Sequence, residues 1–216
     1  PAAFEATYRF ITGRAPVRSG VAAEKSVVLN GKVTGLGVDS SDAKTGNFSN
    51  NLPLAGAQLE VYDTDPTTGA RTGSALLKKT VGADGQWGPL AVPTGSPVEF
   101  VITAPGYATT HIYRSGFPRS SDIVHLRAER MADADKGADS IVTLNRPRGY
   151  LDPARDKMLL DGAAPAGVPA GAGVASAKIK PAGGLRSIAG EFNGERVVGQ
   201  TWPAASGHVV FLELTN

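Results

Sequence analysis

The chain has 216 residues, a formal net charge of +2 and no cysteine, with 27 glycines, 15 prolines and 41% apolar residues. Without cysteine there are no disulfides, thiolate metal sites or thiol nucleophiles, and so small a charge does not argue for nucleic acid. Turn-rich, aromatic-poor composition suits many short strands and suits neither a helical bundle nor a disordered tail.

The opening segment has helical spacing: Phe4, Tyr8 and Ile11 fall at i, i+4 and i+7 on one face. Pro1 suits a first turn and Gly13 a stop. So short a helix is marginal alone in water, so its apolar face must pack on this chain or on a neighbouring domain. No signal-peptide pattern follows Pro1, and the expectation is a processed or excised piece of a longer polypeptide. Residues 14–24 read as a linker.

From Lys25 the pattern changes to strands. Val27, Leu29 and Val33 alternate, with Asn30-Gly31 marking a bulge or turn. Asp39–Leu52 is polar and reads as an exposed loop. In Gln58–Tyr62, Leu59 and Val61 point inward, leaving Tyr62 outward. Asp63–Gly73 is a hairpin loop, and strands follow at 76–81, 86–90, 98–104, 109–113 and 123–126. That spacing predicts a sandwich of about seven strands over 25–130. The loop Tyr107–Arg119 places aromatic rings among cations, as surfaces at apolar-water boundaries do. Tyr107, Tyr113, Arg114, Phe117 and Arg119 are therefore the contact candidates, against the alternative that Tyr113 and Phe117 close one end of the sandwich.

A charged segment near 128–138 links to a second β module, 131–216. Asp133, Asp135 and Asp139 have a calcium-loop look, but the glycine is one place early and position twelve is Leu144 rather than glutamate. A solvated linker is the default there, and no metal or cofactor is expected. Gly171-Ala172-Gly173 lacks the third glycine and following helix of a dinucleotide site. Residues 161–175 read as a meandering loop. Asn193-Gly194 joins two strands as a type I′ turn, setting Phe192 opposite Glu195 and Glu191 opposite Arg196 as an ion pair. Residues 208–214 form a closing apolar strand. Trp87 and Trp202 read as packing residues, and Trp202 joins Phe4, Tyr8 and Ile11 as inter-domain packing candidates. The fold class is thus all-β, two antiparallel sandwich-like modules in series behind a short helix.

Catalytic machinery is missing from the pattern. No Gly-x-Ser-x-Gly elbow occurs, and His111, His125 and His208 lie in strands without a neighbouring Ser or Asp to suggest a triad. The expected catalytic set is therefore empty. No apolar run is long enough to span a bilayer.

Residues 26–113, with Leu54-Ala55-Gly56-Ala57-Gln58-Leu59-Glu60-Val61-Tyr62, Ala83-Asp84-Gly85 and Ala104-Pro105-Gly106-Tyr107, resemble the transthyretin-like, carboxypeptidase-regulatory sandwiches. The whole chain is similar to the C-terminal β region of secreted two-domain prokaryotic lipases and esterases. Its opening 3–13 resembles the last helix of their hydrolase domain, and its end, Phe192–Glu195 through Gly199–Pro203 to Leu212–Leu214, matches as well. The resemblance implies a secreted or periplasmic, non-catalytic accessory domain. Its partners would be an α/β-hydrolase domain, which holds the catalytic residues, and a lipid or ester substrate interface. A surface or adhesin-type module binding carbohydrate or protein is the alternative.

Overall fold

The computed structural model describes residues 2–36, 52–171 and 173–215. Helix α1 (Ala2–Thr12) ends at Gly13, whose φ of 71° allows its N–H to close on Arg9 O. The first seven strands are β1 (Ser26–Leu36), β2 (Gln58–Asp63), β3 (Leu77–Thr80), β4 (Gln86–Pro93), β5 (Val98–Thr103), β6 (Thr109–Arg114) and β7 (Ser121–Glu129). The remainder are β8 (Val142–Asn145), β9 (Met158–Leu160), β10 (Ser176–Ile179), β11 (Ser187–Phe192), β12 (Glu195–Gln200) and β13 (His208–Glu213). The loop expected at 39–52 lies almost wholly outside the described residues.

These strands make three layers. A seven-stranded sheet, β10-β8-β13-β6-β5-β2-β3, runs through the middle, and the sheets β4-β1-β7 and β12-β11-β9 cover it. Successive residues of a strand point to opposite faces, which assigns each cover to its side. Ile112 of β6 and Phe100 and Ile102 of β5 enter the core shared with β1, β4 and β7. Tyr113 of β6 and Val210 and Leu212 of β13 enter the core shared with β9, β11 and β12. Each core holds large side chains removed completely from water, among them Leu29 and Phe100 in the first and Leu144 and Leu212 in the second. Every such side chain contributes about 1.5–3 kcal/mol.

The all-β class with a leading helix is as the sequence indicates, and several local readings hold in register. Leu59 and Val61 are fully buried. A bulge interrupts β1 between Leu29 and Gly31. The β11–β12 hairpin pairs Phe192 with Glu195 and Glu191 with Arg196, the latter an ion pair at 3.3 Å, with positive φ at both Asn193 and Gly194.

Long-range pairing departs from the purely antiparallel expectation. β1 runs parallel to β7, and β13 inserts parallel to both neighbours, β6 and β8. The last strand therefore stitches 131–216 into the same sheet as 58–114, so the stretches have separate cores but share a sheet. Strands β9 and β10 flank the 161–175 loop and are not among the strands expected from the sequence, because three or four residues give too short an alternation to register. Tyr62, expected outward, is buried beneath the Arg71 guanidinium, 3.8 Å from its ring centre.

Candidate functional site

The second-core face of the central sheet turns polar where its cover ends. Glu99 of β5 pairs in register with Tyr113 of β6, and His111 lies two residues back on the same face. On the other side of β6, parallel β13 brings up His208. The outcome is a continuous chain of hydrogen bonds: Glu99 Oε1 to His111 Nδ1 at 2.7 Å, then His111 Nε2 to His208 Nδ1 at 2.8 Å. A carboxylate only accepts. The chain is therefore satisfied when each imidazole donates from Nδ1, leaving the Nε2 lone pair of half-buried His208 as its outer end.

Three groups hold this relay in place. Arg71 Nε donates to the other Glu99 oxygen at 2.6 Å. The loop carrying Arg71 lies across the β11–β12 hairpin, with Thr68 O accepting from Gln200 Nε2 and Ser187 Oγ, both at 2.8 Å. Trp202 stacks on His111 with centroids 4.3 Å apart, and its indole N–H donates to the Tyr113 hydroxyl at 3.0 Å. Burial alone would raise the Glu99 pKa, but the hydrogen bonds from His111 and Arg71 outweigh it and hold the carboxyl below its usual range. Burial lowers the pKa of both His111 and His208. The network thus rests as a buried carboxylate and two neutral imidazoles.

The sequence-chosen loop does not form an exposed patch. Tyr113 is 1% and Phe117 6% exposed, because the first fills the second core and the second returns to the first. Arg114 is ion-paired with Glu213, and burial followed by Arg148 pushes its pKa down to about 10. Tyr107 is half-buried under the Arg130 guanidinium, 4.1 Å from its ring centre. Arg119 is exposed and ties the linker down through Glu24 at 3.3 Å and Ala22 O at 3.3 Å. A ring that faces the core offers nothing to a ligand, so of the five only Tyr107 and Arg119 present appreciable surface.

The remaining candidates scatter. Asp135 takes both Lys178 and Lys180, at 2.6 and 2.9 Å, while Asp133 pairs with Lys136 and Asp139 accepts from Gly183 N–H. Lysine ammoniums occupy the Asp135 oxygens, and among the described residues no group of three metal-capable side chains converges. Phe4 and Ile11 are exposed on α1 with Tyr8 partly covered, whereas Trp202 sits between the two stretches of this chain. The relay itself was missed. Its one local signal was Glu99, a carboxylate inside Val98–Ile102, where every other residue is apolar and buried.

Residues 25–131 match the family described as the lipase C-terminal domain. That stretch, just under half of the chain, is similar to the domain this family describes. No curated protein matches the chain. Among solved structures it aligns with the Bacillus anthracis TIE protein at 12% identity and a TM-score of 0.29, covering 87% of this chain and 33% of that one. It therefore spans about a third of that protein's length. Catechol 1,2 dioxygenase of Acinetobacter radioresistens aligns at 14% identity and a TM-score of 0.28, over 62% of this chain and 68% of that one. The shaft pilin SpaA of Lactobacillus rhamnosus GG aligns at 13% identity and a TM-score of 0.29, over 89% and 99%.

Within the matched stretch lie Glu99 and His111 of the relay, and His208 beyond it completes the chain of hydrogen bonds. Among the described residues no serine or threonine hydroxyl is hydrogen-bonded to either relay imidazole. The relay's direct effect is to join strands from both stretches through buried polar contacts.

A second perturbed group lies at the far edge of the matched stretch. Glu129 of β7 borders a cleft of about 400 Å³ floored by Val209 and Phe211. Burial, with Asp135 adding to it, raises its pKa to about 7. The folded state therefore holds this proton between pH 4.5 and about 7 while the unfolded chain releases it, so stability falls as pH rises through that window. The relay histidines act oppositely. Their folded pKa values lie below 6.5, so their contribution is complete above that pH and is lost on acidification. Glu129→Gln separates the two effects: relative to the parent it should gain about 1–2 kcal/mol at about pH 8 and nothing near pH 4. Urea unfolding at the two pH values measures this, and an equal difference at both would contradict it.

Proposed function

We propose that this chain is the non-catalytic accessory region of a secreted lipase or esterase. It packs on an α/β-hydrolase domain through α1 and meets the lipid or ester substrate with its β layers. The family match over 25–131 carries the reading. Support comes from α1, whose Phe4, Phe10 and Ile11 are 50%, 91% and 73% exposed and so remain available to a partner. Burying each would contribute about 1.5–3 kcal/mol, enough together to seat the helix on another domain. Such a helix would also adsorb to lipid by itself, so the test separates it from the sheets. The intact chain and a form beginning at Lys25 are sedimented with triglyceride emulsion and, separately, with insoluble polysaccharide. Both forms should follow the emulsion and neither the polysaccharide. Retention by polysaccharide alone would favour an adhesin-type module, and loss of emulsion binding in the shorter form would assign the contact to the helix.

A further inference from the structure

The solvent face of the β4-β1-β7 sheet gathers positive charge in a way that packing does not require. Lys32 of β1 stands directly opposite His125 of β7, and the next pair on that face is Thr34 with Arg127. Lys32 and Arg127 are thus diagonal neighbours across the two strands, within reach of long side chains. Arg148, from the turn after β8, closes over the same cleft of about 450 Å³. Among the described residues Lys32, Arg127 and Arg148 form no ion pair. The cleft's own carboxylate, Asp122, accepts from Asn30 Nδ2 at 2.9 Å. The next carboxyl along β7, Glu129, is half neutral near pH 7. His125 Nε2 lies 2.7 Å from the Thr34 hydroxyl, which fixes the ring at the centre of the cluster.

We propose that this cleft binds the phosphate group of a phosphate ester, held by Arg127 and Arg148 with Lys32 and His125 beside them. A carboxylate is saturated by one guanidinium fork, whereas a tetrahedral dianion accepts from several directions at once, as these groups from three elements supply. Burial lowers the His125 pKa, and Arg127, Arg114 and Lys32 lower it further. A bound dianion would oppose those charges and raise it, so His125 reports occupancy. The inference stands apart from the lipase reading, since it needs neither a catalytic domain nor an ester substrate. Two sources share the chemistry, a lipid headgroup and a soluble phosphate ester.

The intact chain is titrated at low salt with inorganic phosphate and with glycerol 3-phosphate while the His125 ring and the Lys32, Thr34 and Arg127 amides are followed by NMR. In parallel it is sedimented with phosphatidylcholine vesicles with and without phosphatidic acid. Saturable shifts confined to the cleft, with an upward move of the His125 pKa, are expected from the soluble ligands. Sedimentation only with phosphatidic acid would instead identify a headgroup. The paired change Arg127→Gln with Arg148→Gln should weaken either binding about tenfold or more, and both side chains reach solvent, so the fold tolerates the change. No saturable shift and no preference for phosphatidic acid would overturn the site, as would unchanged affinity in the double variant.

Discussion

Glu99→Leu should lower the free energy of unfolding by about 3–5 kcal/mol, measured from urea midpoints at neutral pH. The wild-type side chain is completely buried between two donors, Arg71 Nε and His111 Nδ1. Leucine is close in volume and fits an apolar strand, so the loss would come from the orphaned donors rather than from a cavity. Arg71 is 31% exposed and can recover some water, which places the expectation toward the lower end of that range. Glu99→Gln keeps an acceptor without the charge and should cost about 1–2 kcal/mol. Adding Arg71→Met to Glu99→Leu should restore part of the stability, because the cation left without a partner is then gone. A double variant less stable than Glu99→Leu would mean that Arg71 matters through its packing over Tyr62 instead.

Gly31→Ala should be at least as damaging as a large core truncation, about 3 kcal/mol or more. A Cβ at this position would lie 1.8 Å from Val124 O and 2.6 Å from Val124 C. Both are backbone atoms of the paired strand, so no rotamer change relieves the clash and β1 must separate from β7. The same Val124 carbonyl accepts the Trp87 indole N–H at 3.3 Å. The variant should therefore also show Trp87 emission shifted to the red. Gly184→Ala is the matched control: nothing lies within 4 Å of its Cβ, and its stability should change by no more than about 0.5 kcal/mol. If Gly31→Ala melted like the control, the close parallel pairing of β1 with β7 would be wrong.

The readings that held were those in which the chain's nearest neighbours decide the outcome. Asn193-Gly194 needs positive φ at two successive residues and fixes its own register. Leu59 and Val61 alternate against polar neighbours whatever lies beyond them. The parallel insertion of β13 between β6 and β8 is different in kind. It joins His208 to Thr109, almost a hundred positions apart, and nothing within 208–214 names that partner. The same distance hid the relay, since Glu99 and His111 become meaningful only once His208 arrives beside them. The aromatic loop was misplaced because hydropathy does not say which way a ring turns. Tyr113 belongs to a strand face already committed to the second core, and Phe117 is drawn back beneath the first. The basic cleft was invisible for a related reason: Lys32, His125, Arg127 and Arg148 are ordinary singly and gain meaning only in register.

The relay also sets the sharpest trial of a non-catalytic role, because the His208 Nε2 lone pair ends a hydrogen-bonded chain that starts at a buried carboxylate. The purified chain is incubated with a fluorophosphonate and with short-chain p-nitrophenyl esters, alongside a His208→Ala variant. Neither covalent label nor turnover above buffer is expected, and the variant should behave identically. Covalent labelling, or ester hydrolysis that disappears with His208→Ala, would show that these residues break bonds on their own and would contradict the accessory role.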